Sequence, residues 1–255
     1  MQRARIIHNL IERLESDLFL GGRWLPLKPV DLDAGPPKTL APKEAPMSPK
    51  RKEQAQEKEK QLAAVAQAVA ACTKCPLHQT RTKPVPGAGN PNARLVFVGE
   101  APGQMEDEQG LPFVGRAGKL LAEILKAMGL TRDEVFICNI LKSRPPGNRD
   151  PQPSEIAACM DYLYQQLHII EPEVIVALGA HAAHTLLETT TPIGQLRGKV
   201  HAFQPGALAQ PIKLIATYHP AYLLRNYTQE TRRKVWQDMQ QVLSELDLPV
   251  PTKSS

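Results

Sequence analysis

Three short runs constrain the fold more than anything else in the chain. LVFV (95–98), VFIC (135–138) and VIVAL (174–178) contain no charged residue and no polar one beyond the Cys138 thiol. A strand wetted on one face alternates apolar and polar residues with period two. A run with no such alternation has to be covered on both faces, the condition of strands inside a parallel sheet. Each run is of strand length and rich in β-branched or aromatic side chains. Helical spacing appears between and after them, at 116–128, 154–169 and 180–188. Strand–helix alternation with burial on both faces predicts an α/β domain, a three-layer α/β/α sandwich around a mainly parallel sheet. Extended to their flanks, the strands are predicted over 94–99, 134–140 and 173–179. KVHAF (199–203) and KLIATYH (213–219) are further strand candidates, and 229–246 is a final helix.

In such sheets, groups that act on a ligand gather beyond the carboxyl ends of the strands. That rule selects the loops 99–115, 139–153, 179–184 and 218–226. Outside the sandwich the composition changes. RIIHNLIERLESDLFL (5–20) has helical spacing and is stopped by Gly21 and Gly22, giving an N-terminal amphipathic helix over 1–22. Residues 23–60 read as a linker, proline-rich to Pro49 and then charged (KRKEQAQEKEK), which cannot bury a core. The charged run reads as a solvated helix face. The folded domain is expected over 61–248, with a tail at 249–255. A helix on a leash suits a groove on a protein partner, and suits docking on its own domain equally well. No signal peptide and no run of ~18 apolar residues is visible. A cytoplasmic, monomeric protein with no membrane contact is expected, and its net charge of +5 favours an anionic partner.

The four cysteines are too few to staple a chain of 255 residues. CTKC (72–75) has metal-ligand spacing but needs two more ligands. Cys159, between Ile156 and Leu163 on a helix, reads as a core residue. Cys138 should point away from Asn139, its neighbour in a strand.

The loop GEAPGQMEDEQGLPFVGRAG (99–118) lacks both GxxxxGK[ST] and GxGxxG, so it is no familiar phosphate cradle. It reads either as a helix-capping turn or as a pocket that offers backbone N–H groups and the Phe113 face to a flat ligand. In CNILKSRPPGNRD (138–150), Asn139 stands at a strand end. It either forms a turn or reads an amide-like edge, such as that of a pyrimidine. Lys142, Arg144 and Arg149, stiffened by Pro145 and Pro146, make a basic loop suited to phosphates. In TYHPAYLLRN (217–226), His219 stands at another strand end beside Arg225, and Pro220 opens a short helix. His181 and His184 read as surface or packing residues.

Taken together, CTKCPLHQTRT, LVFVGEAPGQMEDEQGLPFVGRAGKLL, FICNILKSRPPGNRDPQPSEIAAC, VIVALG, IGQLRG and YHPAYLLR resemble the family 4 uracil-DNA glycosylases, the iron–sulfur branch of that superfamily, over roughly residues 70–245. GEAPG followed by GxPFxGRAG, and NxxKxRPPGNR, carry most of the specificity. The resemblance implies an enzyme that flips uracil out of DNA and hydrolyses its N-glycosidic bond, leaving an abasic site for base excision repair. Phe113 would stack on the base, and Asn139 would read its Watson–Crick edge. Gly99, Glu100, Ala101 and Gly103 would shape the pocket, and His219 would donate to O2. Lys142, Arg144, Arg149 and Arg225 would hold the DNA backbone. Other branches place Asp or Asn where this chain has Ala101, so the attacking water falls to Glu100, Glu106 or Asp107, with Glu100 favoured. The alternative is a DNA-binding protein of the same fold that does not cleave, or that crosslinks to abasic sites.

The family also implies a [4Fe–4S] cluster held by four cysteines. Cys72, Cys75 and Cys159 match three positions, but the fourth is Ser143. Ser143 or the upstream Cys138 would complete the set, or the cluster would be incomplete.

Overall fold

The three apolar runs lie at the middle of a sheet formed by β1 (Ala88–Gly89), β2 (Leu95–Gly99), β3 (Phe136–Asn139), β4 (Val174–Leu178), β5 (Val200–Phe203) and β6 (Ile212–Thr217). The computed structural model describes residues 49–204 and 210–251. The expected helix at 5–20, the linker up to residue 48 and residues 252–255 lie outside them. Strand order is β1-β3-β2-β4-β6-β5. The inner four are parallel. The edges β1 and β5 are antiparallel, so the sheet is mainly, not wholly, parallel.

Eight helices accompany it among the described residues: α1 (Pro49–Ala70), α2 (Gln104–Gln109), α3 (Arg116–Ala127), α4 (Pro153–Ile170), α5 (Ala180–Leu187), α6 (Ile193–Leu196), α7 (Pro220–Arg225) and α8 (Gln229–Glu245). Period-two alternation splits the buried strands between two cores. Val96, Val98, Ile175 and Ala177 pack with Cys159, Leu163 and Leu167 of α4 and Ala182 and Leu186 of α5. Leu95, Phe97, Val174 and Val176 pack with Leu121 and Leu125 of α3 and Val235, Met239 and Val242 of α8. This is the expected α/β/α layering. Helix α1 starts at Pro49, so the charged run 50–60 is helical rather than linker. Lys58 of that run donates to the Ile170 carbonyl (3.1 Å) and to Glu171 (3.0 Å), and Val65 and Val69 pack on Tyr162.

One buried ion pair joins the IGQLRG segment to α8. Arg197 donates to both carboxylate oxygens of Asp238 (2.7 and 3.1 Å), and Thr217 Oγ1 donates to the same carboxylate at 2.6 Å. Burial pushes the Asp238 carboxyl up, while these partners oppose it.

The strand order fixes the site. From β2 the chain crosses to β3 on one side, then returns over β2 to β4 on the other. Connections therefore leave the carboxyl ends of β2 and β4 in opposite directions, which opens a crevice between them.

Candidate active site

That crevice has a volume of about 720 Å³. Its floor is set by Gly99, the last residue of β2, which pairs in register with Asn139 of β3. A Cβ on Gly99 would lie 2.4 Å from Asn139 Oδ1 and 2.6 Å from Phe113 Cζ. Only a glycine lets both side chains reach the same point. Asn139 is 1% exposed, and its Oδ1 has no hydrogen-bond partner among the described residues. A buried acceptor left unpaired costs about 1–3 kcal/mol, so it marks a place for a donor on a ligand. Cys138 points to the opposite layer, as strand alternation requires.

Phe113 stands over this floor with φ 52°, unusual for a bulky residue. Two clamps hold it there. Glu106 Oε1 accepts from the N–H groups of Val114 and Gly115, both at 2.8 Å. Arg132 donates to the carbonyls of Phe113 (2.9 Å) and Pro112 (2.7 Å). Helix α3 passes so close behind that a Cβ on Gly118 would sit 1.9 Å from the Phe113 carbonyl oxygen. The loop is thus a pocket wall, and it contains the short helix α2, ended by Gly110 at φ 78°. Asp107 is buried and accepts from Thr82 N–H at 2.9 Å. Of the three carboxylates considered for a water, Asp107 holds backbone and Glu106 holds it through Oε1, while Glu106 and Glu100 both line the crevice.

His219 caps α7. The Ala221 N–H donates to its Nδ1 at 3.0 Å, so in the neutral ring the hydrogen sits on Nε2. Burial first, then repulsion from Arg225, lowers its pKa to about 4, against an opposing pull from Glu106. The ring is therefore a neutral donor at pH 7, and its centroid lies 5.8 Å from that of Phe113. An unfolded His binds a proton near pH 6.5, whereas the folded one resists it until about 4. The unfolded chain binds more protons in that window, so this group makes the fold less stable as pH falls through it.

At the crevice mouth, Glu100, Asp150 and His181 bring their polar atoms within 4.8 Å of one another, close enough to share a small cation or polar molecule. His181 Nε2 is 3.6 Å from Asp150 Oδ1 and 4.0 Å from Glu100 Oε2. Sequence reasoning placed His181 on the surface or in packing and did not single out Asp150. The signal was the position of His181, in the first turn after β4. His184, by contrast, is tied to the Thr191 carbonyl at 2.8 Å.

The basic loop needs one correction. Lys142 is 2% exposed. Its ammonium donates to the Asn139 carbonyl (2.8 Å) and to Gln166 Oε1 (2.7 Å), so it braces the strand end and offers nothing to a phosphate. Arg149 lies at the crevice with both terminal nitrogens on Glu155 (2.6 and 2.9 Å). Arg144 is held by Asn148 through Nε at 2.7 Å, and exposed Arg225 lines the crevice beside His219. Gly103 and Ala101 also line it.

The cysteines form a second locus. Negative charge on Cys75 and Cys72 would raise the Cys159 thiol further above where burial puts it, while the Lys142 N–H hydrogen-bonds to it and lowers it. A hydrogen bond to Cys72 first, then burial, pushes Tyr162 up to about 12. Arg81 donates to Ser143 Oγ (3.1 Å), to the Cys72 carbonyl (3.2 Å) and to the end of α1. Cys72 and Cys75 thus lie near Cys159, Arg81 links Ser143 to the Cys72 backbone, and Cys138 is buried in the same apolar cluster as Cys159.

A sequence model of the Uracil DNA glycosylase superfamily matches residues 86–240. The chain is 47% identical over 188 residues to the Type-4 uracil-DNA glycosylase of Thermotoga maritima, covering 73% of this chain and 95% of that one. It is 47% identical to the Type-4 uracil-DNA glycosylase of Archaeoglobus fulgidus, over 70% of this chain and 89% of that one. Identity to the Type-5 uracil-DNA glycosylase of Thermus thermophilus is 34%, over 54% and 68% of the two chains.

Proposed function

This chain belongs to the Uracil DNA glycosylase superfamily, and from that premise we propose how its crevice selects and releases the base. The protein is a uracil-DNA glycosylase, a hydrolase of DNA repair that frees uracil and leaves an abasic site. The observation that carries the residue assignment is the unpaired Asn139 Oδ1 beneath the Phe113 ring, beside a histidine with its hydrogen on Nε2.

A base inside a duplex is out of reach, and flipping it costs a few kcal/mol. Stacking on an aromatic face such as Phe113 returns about 1–3 kcal/mol. Asn139 Oδ1 accepts from uracil N3–H and its amide donates to O4. Cytosine presents an acceptor at N3, which would face the same oxygen and be refused. As the glycosidic bond opens, negative charge gathers on uracil O2, and the His219 Nε2–H meets it without a proton having to be taken up. Glu100 orients the water that attacks the sugar. Arg144 and Arg225 take the flanking phosphates, with Arg149 shared between DNA and Glu155.

The test is release of free uracil from a uracil-containing oligonucleotide. Binding without release would establish the noncleaving alternative. Gly99→Ala probes the pocket floor, because its methyl group enters the space of Asn139 and Phe113. Overpacking of this kind costs about 1–3 kcal/mol, so kcat/KM for uracil release should drop about 5- to 150-fold, with affinity for uracil-free DNA unchanged. Steady-state kinetics beside a binding titration checks both.

We take Cys72, Cys75 and Cys159 as three ligands of the cluster that the family implies, since the first two act on the third. Ser143 is taken as the fourth because Arg81 ties it to the Cys72 backbone. When bound, the cluster supplies a cross-link between the end of α1, helix α4 and the basic loop, and the chemistry on uracil does not pass through it. An alkoxide is a harder ligand than a thiolate. Ser143→Cys is therefore expected to retain more iron per chain than wild type under a chelator challenge, read by iron and sulfide analysis after anaerobic purification.

A further inference from the structure

If Glu100 orients the attacking water, its carboxylate has to be held in one place. Little else holds it. Its side chain is 28% exposed, and among the described residues the ionisable groups nearest it are His181 and Asp150. The three residues come from separate elements: Glu100 follows β2, Asp150 ends the basic loop after β3, and His181 opens the first turn of α5. Their meeting is a product of the switch in strand order, and no local segment could supply it. His181 Nε2 faces both acids, 3.6 Å from Asp150 Oδ1 and 4.0 Å from Glu100 Oε2. Without the imidazole, two carboxylates would confront each other across the mouth of the pocket.

We propose that His181 is a positioning residue for the glycosylase reaction: its ring, set between Glu100 and Asp150, keeps the two carboxylates apart and so keeps Glu100 over the pocket. This rests on the reading of Glu100 as the group that orients the water. Removing His181 should let Asp150 push Glu100 away from its working position. The chemical step would slow while DNA binding stayed as it was. Replacing Asp150 with Asn in the same chain removes the push, so part of the rate should return. A residue that merely stabilised the fold would give no such return.

The experiment measures single-turnover uracil release at saturating enzyme, and in parallel the affinity for a duplex carrying a noncleavable uracil analogue. Positioning errors of about an ångström cost up to about a hundredfold, so a roughly tenfold loss is expected for His181→Ala. His181→Gln, whose side chain still fills the space between the two acids, should lie within about threefold of wild type. His181→Ala/Asp150→Asn should be faster than His181→Ala, and Glu100→Gln/His181→Ala no slower than Glu100→Gln, since residues acting as one unit are not additive. A His181→Ala variant with weakened DNA affinity and an unchanged single-turnover rate would make His181 a DNA contact and overturn the proposal. Additive losses in the Glu100 double variant would overturn it too. Full activity of Glu100→Gln would remove the assignment on which it rests. Wild type that binds the duplex but releases no uracil would overturn the glycosylase reading and this inference together.

Discussion

His219→Ala is expected to lower single-turnover uracil release by about 10²–10³, the usual loss when one donor aimed at a developing oxyanion is removed. In the proposed mechanism this group works without being charged. Its Nδ1 is taken by the Ala221 N–H, which leaves Nε2–H to point into the pocket. Burial and Arg225 bring its pKa to about 4. A donor whose own charge does not change needs no proton from solvent, so this group imposes no fall in rate as pH rises through 6 and 7. His219→Gln should recover part of the loss, because an amide can still donate to O2. The pH–rate profiles of wild type and both variants provide the check. A wild-type profile controlled by a group titrating between pH 6 and 7, absent from His219→Ala, would contradict the neutral-donor reading.

Asn139→Ala should have an effect of similar size on uracil and a larger one on selectivity. A site built to pair with a polar edge rejects a partner lacking that edge by as much as about 10⁴–10⁵. Removing the amide should cut kcat/KM for uracil by about 10²–10³ and bring uracil and cytosine close together among what little is still bound. The same change removes a buried acceptor that has no partner among the described residues. Relief of that unpaired group offsets the cavity left by truncation, so the melting temperature should change little. Activity falling steeply while stability holds separates a reading residue from a folding residue, and thermal melts beside competition kinetics on the two bases show which it is.

Much of this site was legible because local rules happen to report on it. Asn139 and His219 end strands, Phe113 sits between Pro112 and Gly115 where a turn has no need of an aromatic ring, and Cys138 had to face away from Asn139 by strand alternation. What could not be read is equally specific. Lys142 lies in a loop of arginines and prolines and looks like a phosphate contact, yet it is folded inward to the Asn139 carbonyl and Gln166. Its partner Gln166 lies on α4, distant in sequence, and no composition rule signals that contact. Glu106, a candidate for the water, also clamps the Phe113 loop through Oε1, in company with Arg132 from beyond α3, a contact that no local pattern signals. The charged run 50–60 read as a solvated helix face, yet its few apolar residues put it in the linker and not with the helix α1 of the domain.

The sequence by itself determined the layering and the sheet. Uninterrupted apolar strands cannot stand in water on either face, and the helices between them supply the cover. It also determined which loops lie at the carboxyl ends, since parallel strands put all those ends on one side. The tertiary structure alone decided which loops meet. The order β1-β3-β2-β4-β6-β5 brings Gly99, Asn139 and His219 around one crevice, and sets His181 between Glu100 and Asp150 at its mouth. It also decided that Cys72 and Cys75 lie close enough to act on Cys159, and that Arg81 ties Ser143 to the Cys72 backbone. The physical reason is the range of the forces. Burial and hydrogen-bond geometry within a segment are written in neighbouring residues, while the pairing of side chains from separate strand ends depends on how the whole sheet is threaded.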